Sequence, residues 1–178
     1  MMQTLALDGK LHDRNGFDCG VTALNSYLKT LAGQQSKRDN ARTYILPATD
    51  NPSHILGYYT VSLTQIDLAN LPTNYQKRHP TAHSAGLIAR LAVDHRHTGR
   101  GYGSWLLIDA LSRLAQASEV IGFPLIVVDA KPGARAFYTR FGFRSFLDAQ
   151  DHLNLRVAEV KASLAAPTTP SKPQACGA

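Results

Sequence analysis

Few features of this sequence are typical of a secreted or membrane protein. It has two cysteines, Cys19 and Cys176, which are too few for a disulfide framework. No apolar run approaches the roughly 18 residues that a membrane span needs. The start, MMQTLALDGK, lacks the basic flank and the long apolar stretch of a secretory signal. These absences argue against a disulfide-rich secreted domain and a membrane protein, and we expect a cytoplasmic protein.

Two common phosphate-binding motifs are also absent, although three glycines stand close together in HTGRGYGSWLLIDALSR, residues 97–113. A P-loop needs a Lys followed by Ser or Thr after its last glycine, and no lysine follows here. A dinucleotide fingerprint needs Gly-x-Gly-x-x-Gly, with an acidic residue about 20 positions later. The spacing of Gly99, Gly101 and Gly103 does not match. Both nucleotide-binding classes are therefore disfavoured.

Composition and charge are those of a basic globular domain. The 178 residues are 44% apolar and 18% charged, and 19 Lys and Arg against 13 Asp and Glu give a net charge of +6. A basic surface favours anionic partners such as cofactor phosphates, nucleic acid or an acidic protein segment. We expect one domain over residues 1–163. The Pro-, Ser- and Thr-rich tail over residues 164–178 is predicted to be disordered.

The hydrophobic pattern predicts alternating strands and helices of an α/β or α+β protein. Apolar positions with helical spacing predict two helices in residues 17–38, with Asp18 as a possible N-cap and Gly33 as the break. Further helices are predicted over residues 104–119 and in GARAFYTRFGF, which Gly142 would end. Residues 70–84 are interpreted as a polar connection.

Strands are predicted in residues 3–8, 41–48, 54–66, 85–94 and 123–130, with one or two closing strands in 144–160. The result is a mixed sheet with helices on both faces, in which the near-continuous apolar strand 85–94 is central.

The glycine loop lies between that central strand and a helix. Such a loop leaves several backbone N–H groups pointing at one place, beside the positive end of the helix dipole. Glycine also permits positive φ and lacks the Cβ that would keep a phosphate away. The loop is therefore a candidate site for a phosphate or pyrophosphate. The alternative is a flexible turn before a helix.

The segments RLAVD, HRHTGRGYG and AFYTRFGF resemble the GNAT family of acetyl-CoA-dependent N-acetyltransferases. The family signature, Gln/Arg-x-x-Gly-x-Gly/Ala, aligns with residues 98–103, where Thr98 replaces the usual Gln or Arg. Lys131 is a second departure, at a position where many relatives carry Asn. The resemblance implies a mixed, mostly antiparallel sheet with a splayed central parallel strand pair, acetyl-CoA as co-substrate and no metal. The residues it implies for acetyl-CoA binding are Leu91, Val93, Thr98, Gly99, Arg100, Gly101, Gly103 and Ser104.

Tyr138 has two interpretations. Helical periodicity alone favours a core aromatic residue. The resemblance implies the general acid that protonates the departing coenzyme A thiolate, a role that a phenol with a pKa of about 10 can fill. The amine would attack directly, so Cys19 is not needed as a nucleophile. His95 and His97 flank the glycine loop and are interpreted as incidental loop histidines.

The amino-terminal third narrows the resemblance to the GNAT toxins of bacterial toxin–antitoxin systems, through NGFDCGVTALNSYLKTLAGQQSKRDNARTYIL and ILGYYTVSL. This resemblance implies acetylation of the α-amino group of aminoacyl-tRNA, arrest of translation, a ribbon-helix-helix antitoxin as partner and a possible homodimer. The basic charge suits a tRNA substrate, because phosphate contacts dominate such binding. Candidate residues for contacting tRNA are Lys77, Arg78, Arg90 and Arg140.

Two alternatives stay open at this point. The first is a GNAT enzyme that acetylates a small-molecule or protein amine, for which an acidic acceptor pocket is expected. The second is a non-catalytic module that binds acyl-CoA or nucleic acid, which would be favoured if Tyr138 pointed into the core away from the cleft.

Overall fold

Seven strands form one sheet in the computed structural model, which describes residues 2–166. The strands are β1 (Leu5–Ala6), β2 (Arg42–Pro47), β3 (Ile55–Gln65), β4 (Ser84–Val93), β5 (Leu125–Asp129), β6 (Arg144–Ser145) and β7 (His152–Arg156). The α-helices are α1 (Thr22–Ser26), α2 (Ala32–Lys37), α3 (Thr73–Arg78), α4 (Tyr102–Ile121), α5 (Arg135–Thr139) and α6 (Val157–Ala165). Most of the predicted tail, including Cys176, lies outside the described residues.

The order of strands is β1-β2-β3-β4-β5-β7-β6, and every neighbouring pair is antiparallel except β4 with β5. Strand β4 is therefore the fourth of seven and is covered on both faces. The prediction of a mixed, mostly antiparallel sheet with a central apolar strand is confirmed.

The parallel pair is short, and its strands part at one end. Only residues 85–87 of β4 pair with residues 125–127 of β5, although β4 continues to Val93. On its other side β4 stays paired with β3, but the register of this pairing shifts once. Thr60 pairs with Arg90, whereas the next residue of β3, Val61, pairs with Ile88. Ala89 is therefore an extra, bulged residue in β4. This bulge and the missing pairing produce the splayed central pair that the resemblance implied.

Helices pack on both faces of the sheet. The neighbouring residues Tyr58 and Tyr59 of β3 point to opposite faces, as alternate strand residues do. Tyr59 lies in the hydrophobic core between the sheet and helix α4, to which Leu107 also belongs. Tyr58 lies in a second core on the other face, with Phe17 and Leu28 of the amino-terminal segment. Both tyrosines are fully buried. Within residues 2–166 no helix is long and apolar enough to cross a membrane.

The first helical segment differs from the prediction. Gly33 does not break it; instead a π-helical stretch, Tyr27–Leu31, joins α1 to α2, and Gly33 lies inside α2. Asp18 is not the N-cap, because that position is Val21. The Asp18 carboxylate instead accepts hydrogen bonds from the Gly20 amide (2.8 Å) and the Asn25 side chain (2.7 Å), which forms a turn ahead of the helix.

Two helices were not predicted. Residues 70–84 contain α3, which begins after Pro72, in a segment that was interpreted as an irregular connection. Residues 157–160 belong to α6 rather than to a closing strand. The physical reason is tertiary: Val157 and Val160, three positions apart, both contact the core beside α4, which only a helical conformation allows.

Candidate active site

The glycine loop has the backbone conformation that its composition indicates. Gly99 has φ +76° and Gly101, the N-cap of α4, has φ +80°, values that L side chains rarely adopt. A Cβ built on either residue meets no protein atom within 4 Å, so both glycines border open space. Thr98, Arg100 and both glycines are exposed. The loop is therefore a turn held open at the surface, where a ligand can approach the backbone.

The amino terminus of α4 supplies hydrogen-bond donors at the same place. The amide of Trp105 donates to the Gly101 carbonyl at 3.0 Å, which starts the helical ladder. The amides of Tyr102, Gly103 and Ser104 come before it and are the unpaired donors of a helix start. A 20-residue helix also brings a positive dipole end to this point. These residues fit the pyrophosphate group of acetyl-CoA.

A buried aspartate, which was not predicted, orders the short turn that precedes the glycine loop. Asp94 follows β4 and has no exposed surface. It accepts hydrogen bonds from the Arg96 side chain at 2.7 and 2.8 Å, from the Arg96 amide at 3.0 Å and from the Asp18 amide at 3.1 Å. Burial alone would raise the pKa of Asp94, but these hydrogen bonds hold it well below the usual range. An Asp directly before a short helical turn was the available signal.

Two histidines pair next to the start of the loop. The Nε2 atoms of His54 and His97 lie 3.2 Å apart, and His97 Nδ1 is buried without a hydrogen-bond partner within residues 2–166. Loss of solvation lowers the pKa of His97. His97 is thus held by a contact with His54, which the sequence did not indicate. His95 is exposed and its ring nitrogen contacts the Asp18 carbonyl at 2.8 Å.

The splayed end of β4 lies beside this loop. Leu91 and Val93 lie in the part of β4 that is beyond its pairing with β5, and both are half-buried against the core. On the other side they pair with Tyr59 and Gly57 of β3. The side of β4 that faces β5 therefore has no strand partner here among the described residues, which leaves room for an extended chain such as pantetheine.

Helix α5 brings Tyr138 to the same region. A Cβ built on Gly103 would lie 3.8 Å from both the Phe137 ring and Val93 Cγ2, so the loop helix, the end of β4 and α5 meet. The Tyr138 ring packs at 5.1 Å from Phe137 and 5.6 Å from Phe143, and the residue is 7% exposed. Burial raises the pKa of Tyr138 to about 12. Its phenol therefore stays protonated at neutral pH, and within residues 2–166 it makes no hydrogen bond.

The four predicted nucleic-acid contacts do not form one cluster. Lys77 and Arg78 are exposed at the end of α3 and make no ion pair within the part of the chain that the structure describes. Arg90 is half-buried, with its guanidinium 3.6 Å from the centre of the Tyr27 ring. Arg140 is exposed just after α5.

Other chemistry has less support. Burial raises the pKa of the half-buried Cys19 thiol, which disfavours the reactive thiolate. Lys131 is exposed between β5 and α5. Between residues 2 and 166 no group of three or more His, Cys, Asp or Glu could hold a metal ion.

Comparisons with known proteins agree with this geometry. Residues 45–145 match the acetyltransferase (GNAT) domain. A protein of Sinorhizobium fredii, named probable toxin TacT, is 30% identical over 165 residues, which cover 87% of this chain and 91% of that protein. The tRNA-acetylating toxin of Mycobacterium tuberculosis is 32% identical over 151 residues, 84% of this chain and 89% of that protein.

Similarity to solved structures extends to the whole fold. The structure of AtaT complexed with acetyl-methionyl-tRNAfMet has a TM-score of 0.82 and 25% identity, and covers 92% of this chain and 99% of AtaT. The domain match, the two relatives and the glycine loop beside a splayed strand pair lead to one conclusion. The chain belongs to the GNAT family and is an acetyl-CoA-dependent N-acetyltransferase.

Proposed function

We propose that this protein acetylates the α-amino group of aminoacyl-tRNA and, as a toxin, inhibits translation. One observation supports the proposal most directly: the glycine loop, the end of β4 and the helix of Tyr138 meet at one place. They do so in a chain that is similar, along most of its length, to a tRNA-acetylating toxin. A GNAT fold alone would leave the amine open, because one fold serves many substrates.

Acetyl-CoA would bind at this junction through the backbone. The amides of residues 98–104 would hold its pyrophosphate, and the unpaired side of β4 at Leu91 and Val93 would hold its pantetheine arm. Backbone donors make the side chain at position 98 dispensable, so Thr98 is compatible with this site. Bound in this way, acetyl-CoA supplies an activated thioester.

Tyr138 would act as the general acid. The free amine attacks the thioester carbonyl carbon, a C–N bond forms and the C–S bond breaks. The departing sulfur takes the phenolic proton of Tyr138 and leaves as the coenzyme A thiol. The amine nitrogen loses one proton to water, and the Tyr138 phenolate takes one proton back from water, so that the enzyme is regenerated. The raised pKa of Tyr138 keeps that proton in place until the sulfur gains charge. An aminoacyl ester has an unusually acidic ammonium group, so free amine is available near neutral pH without a dedicated protein base.

The two other functions have less support. A polyamine or another cationic amine would favour an acidic acceptor pocket, whereas Arg78 and Arg90 place positive charge on the face that carries α1 to α3. A purely binding module does not need a tyrosine beside the cofactor loop. The Tyr138 ring does contribute to the core, as periodicity predicted, and this is compatible with a hydroxyl directed at a substrate.

The same proposal includes partners and location. The related AtaT was solved bound to the C-terminus of the antitoxin AtaR. We infer that this chain also has an antitoxin, of the ribbon-helix-helix type, and that it acts in the cytoplasm, where charged tRNA is found. A homodimer is part of the proposal as well.

The decisive experiment is mass spectrometry of a charged tRNA pool incubated with protein and acetyl-CoA. We expect the acetyl group on the amino acid attached to tRNA and not on free amino acid. Expression in bacteria should arrest growth, and Tyr138→Phe should relieve the arrest. Efficient acetylation of small amines with no product on tRNA would reject the tRNA substrate and leave the general acetyltransferase function.

A further inference from the structure

Two adjoining cavities form a groove at the end of the sheet opposite to the glycine loop. They have volumes of about 640 and 300 Å³, share Arg78 and Arg156 in their walls, and lie between α3, β7, α6 and the starts of β4 and β5. We call them together the basic groove.

Positive side chains outnumber negative ones in the basic groove, although Lys161 is already paired with Glu119 at 3.6 Å. Arg78, Arg144, Arg156 and Lys161 line it, and Glu159 is the only carboxylate among its lining residues. Glu159 contacts both Arg144 (3.0 Å) and Arg156 (3.2 Å), so one negative charge serves two guanidinium groups. The Arg78 side chain makes neither an ion pair nor a hydrogen bond within residues 2–166. An anion in the groove would therefore meet an uncompensated cation.

A buried hydroxyl in the same groove also indicates a ligand. Tyr75 lines the smaller cavity and is 8% exposed, and its hydroxyl is buried without a hydrogen-bond partner in the described part of the chain. Buried polar groups in proteins are nearly always paired, so this one calls for a partner. The Tyr75 ring also lies 4.6 Å from the ring of His79, at 35°. The partly exposed His79 ring, which lines the larger cavity, packs on this buried tyrosine and offers an aromatic face to the groove.

The groove is close to the place where β4 and β5 part. Its wall includes Ser84, the first residue of β4, and the pairing with β5 ends three residues later at Leu87. Three strand residues span about 10 Å. A substrate whose amine lies at the splayed strands could therefore reach the groove if it extends over a few nucleotides, whereas a small amine could not.

We propose that the basic groove binds the sugar–phosphate backbone of the substrate tRNA next to its aminoacylated end. This inference rests on the proposed function. Guanidinium groups match phosphate oxygens in a bidentate geometry, and hydroxyl groups are common additional phosphate contacts. Aromatic surfaces stack unpaired RNA bases, which an acidic peptide would not use. The combination of cations, the Tyr75 hydroxyl and the partly exposed His79 ring therefore favours RNA.

The test compares Arg78→Gln with Lys10→Gln. Each substitution removes one positive charge from an exposed residue, but Lys10 follows β1, at the far edge of the sheet. Fluorescence anisotropy with deacylated tRNA should show about five- to tenfold weaker binding for Arg78→Gln than for Lys10→Gln, as expected for one charge-assisted contact. The slope of log affinity against log salt should fall by about one. Equal tRNA affinities for the two variants would overturn the proposal.

A second variant separates binding from folding. Tyr75→Phe removes the unpaired hydroxyl and keeps the ring, so its melting temperature should be unchanged or higher, while its tRNA affinity should fall. Unchanged affinity together with unchanged stability would assign Tyr75 to the core alone and contradict its part in the proposal. A synthetic poly-glutamate peptide is the comparison ligand. If Arg78→Gln weakens peptide binding but not tRNA binding, the groove belongs to an acidic protein segment and the RNA proposal fails.

Activity measurements distinguish this proposal from the proposed function. With aminoacyl-tRNA, Arg78→Gln should raise KM and leave both kcat and the affinity for acetyl-CoA unchanged. If wild-type protein acetylates aminoacyl-tRNA and Arg78→Gln has the same KM as Lys10→Gln, the groove proposal fails and the function stands. If wild-type protein forms no product on tRNA, the function fails, and the anisotropy comparison still decides whether the groove binds RNA.

Discussion

Gly103 and Phe137 are close enough that a Cβ on the glycine would touch the phenylalanine ring at 3.8 Å. This contact connects the helix that follows the cofactor loop to the helix that carries Tyr138. The two motifs are more than 30 residues apart in sequence. Their contact brings the helix that carries the proposed general acid against the helix that begins at the proposed acetyl-CoA site, and it is the basis of the first prediction.

Replacing Tyr138 with Phe should lower kcat by about 10²–10⁴, the usual contribution of a general acid. The variant should keep its fold and its acetyl-CoA affinity, because the hydroxyl makes no hydrogen bond within residues 2–166 and the ring stays in the core. Steady-state kinetics and calorimetry measure both quantities. Tyr44→Phe is the matched control, since Tyr44 packs on Tyr59 away from the loop. Wild-type turnover in Tyr138→Phe would leave Tyr138 a purely structural residue.

Gly101→Ala should weaken acetyl-CoA binding by at least about tenfold, or 1.4 kcal/mol. The substitution strains a residue with φ +80° and puts a methyl group into the space that the ligand would occupy. Gly122→Ala is the control: its φ is +64°, its Cβ also meets open space, and it lies at the other end of α4. Each variant should lose about 1–2 kcal/mol of stability. A similar loss of acetyl-CoA affinity in both would show that strain, and not the site, is responsible.

Asp94→Asn should destabilise the loop by about 1.5–3 kcal/mol, the value of hydrogen bonds to a charged group. The pKa of Asp94 is lower in the folded protein than in the unfolded chain, where it is about 4. The ionised carboxylate therefore stabilises the fold fully above about pH 4, and this stabilisation is lost as the pH falls from there through the pKa of the folded state. Denaturation curves from pH 7 down to pH 3 should therefore show a smaller loss of stability for Asp94→Asn than for wild type. Parallel pH profiles would contradict the role of the Asp94–Arg96 pair.

His97→Gln should make the free energy of unfolding less sensitive to pH between 7.5 and 5.5. The pKa of His97 is lowered in the folded protein, so below pH 6.5 the unfolded chain takes up a proton that the folded chain resists, and wild type loses stability. The groups that act on His97 are Asp94, Arg100, His54 and Arg96. Urea denaturation at both pH values measures the effect, and His83→Gln, at an exposed histidine, is the control. The same pH dependence in His97→Gln and wild type would disprove it.

Elements with strong local signals were predicted well. Residues 85–94 are apolar almost throughout, and the structure places them in the central strand β4. The apolar spacing after Gly101 predicted α4. Gly142 has the positive φ, +92°, that was expected of a glycine after α5, but it lies one residue beyond the predicted C′ position, because Arg140 is the C-cap. Helix α3 was missed because it is six residues long and mostly polar. Its one buried side chain, Tyr75, gives no periodicity.

The site was predicted in part for the same reason. The glycine loop and Tyr138 belong to local motifs, so the sequence indicated them. Asp94, the His54–His97 pair and the basic groove were not predicted, because each depends on residues that are distant in sequence. Arg78 and Arg156, for example, line one groove although 78 positions separate them.

The sequence by itself determined the local conformations and the family. Positive φ at Gly99 and Gly101 follows from what a residue without a Cβ permits, and the apolar patterns select strand or helix within about ten residues. Tertiary structure alone decided that β4 and β5 part after three paired residues, that Asp94 is buried, and that Val157–Ala165 is a helix. The physical reason is that burial and pairing depend on all the surfaces that meet at a residue, and most of those surfaces come from distant parts of the chain.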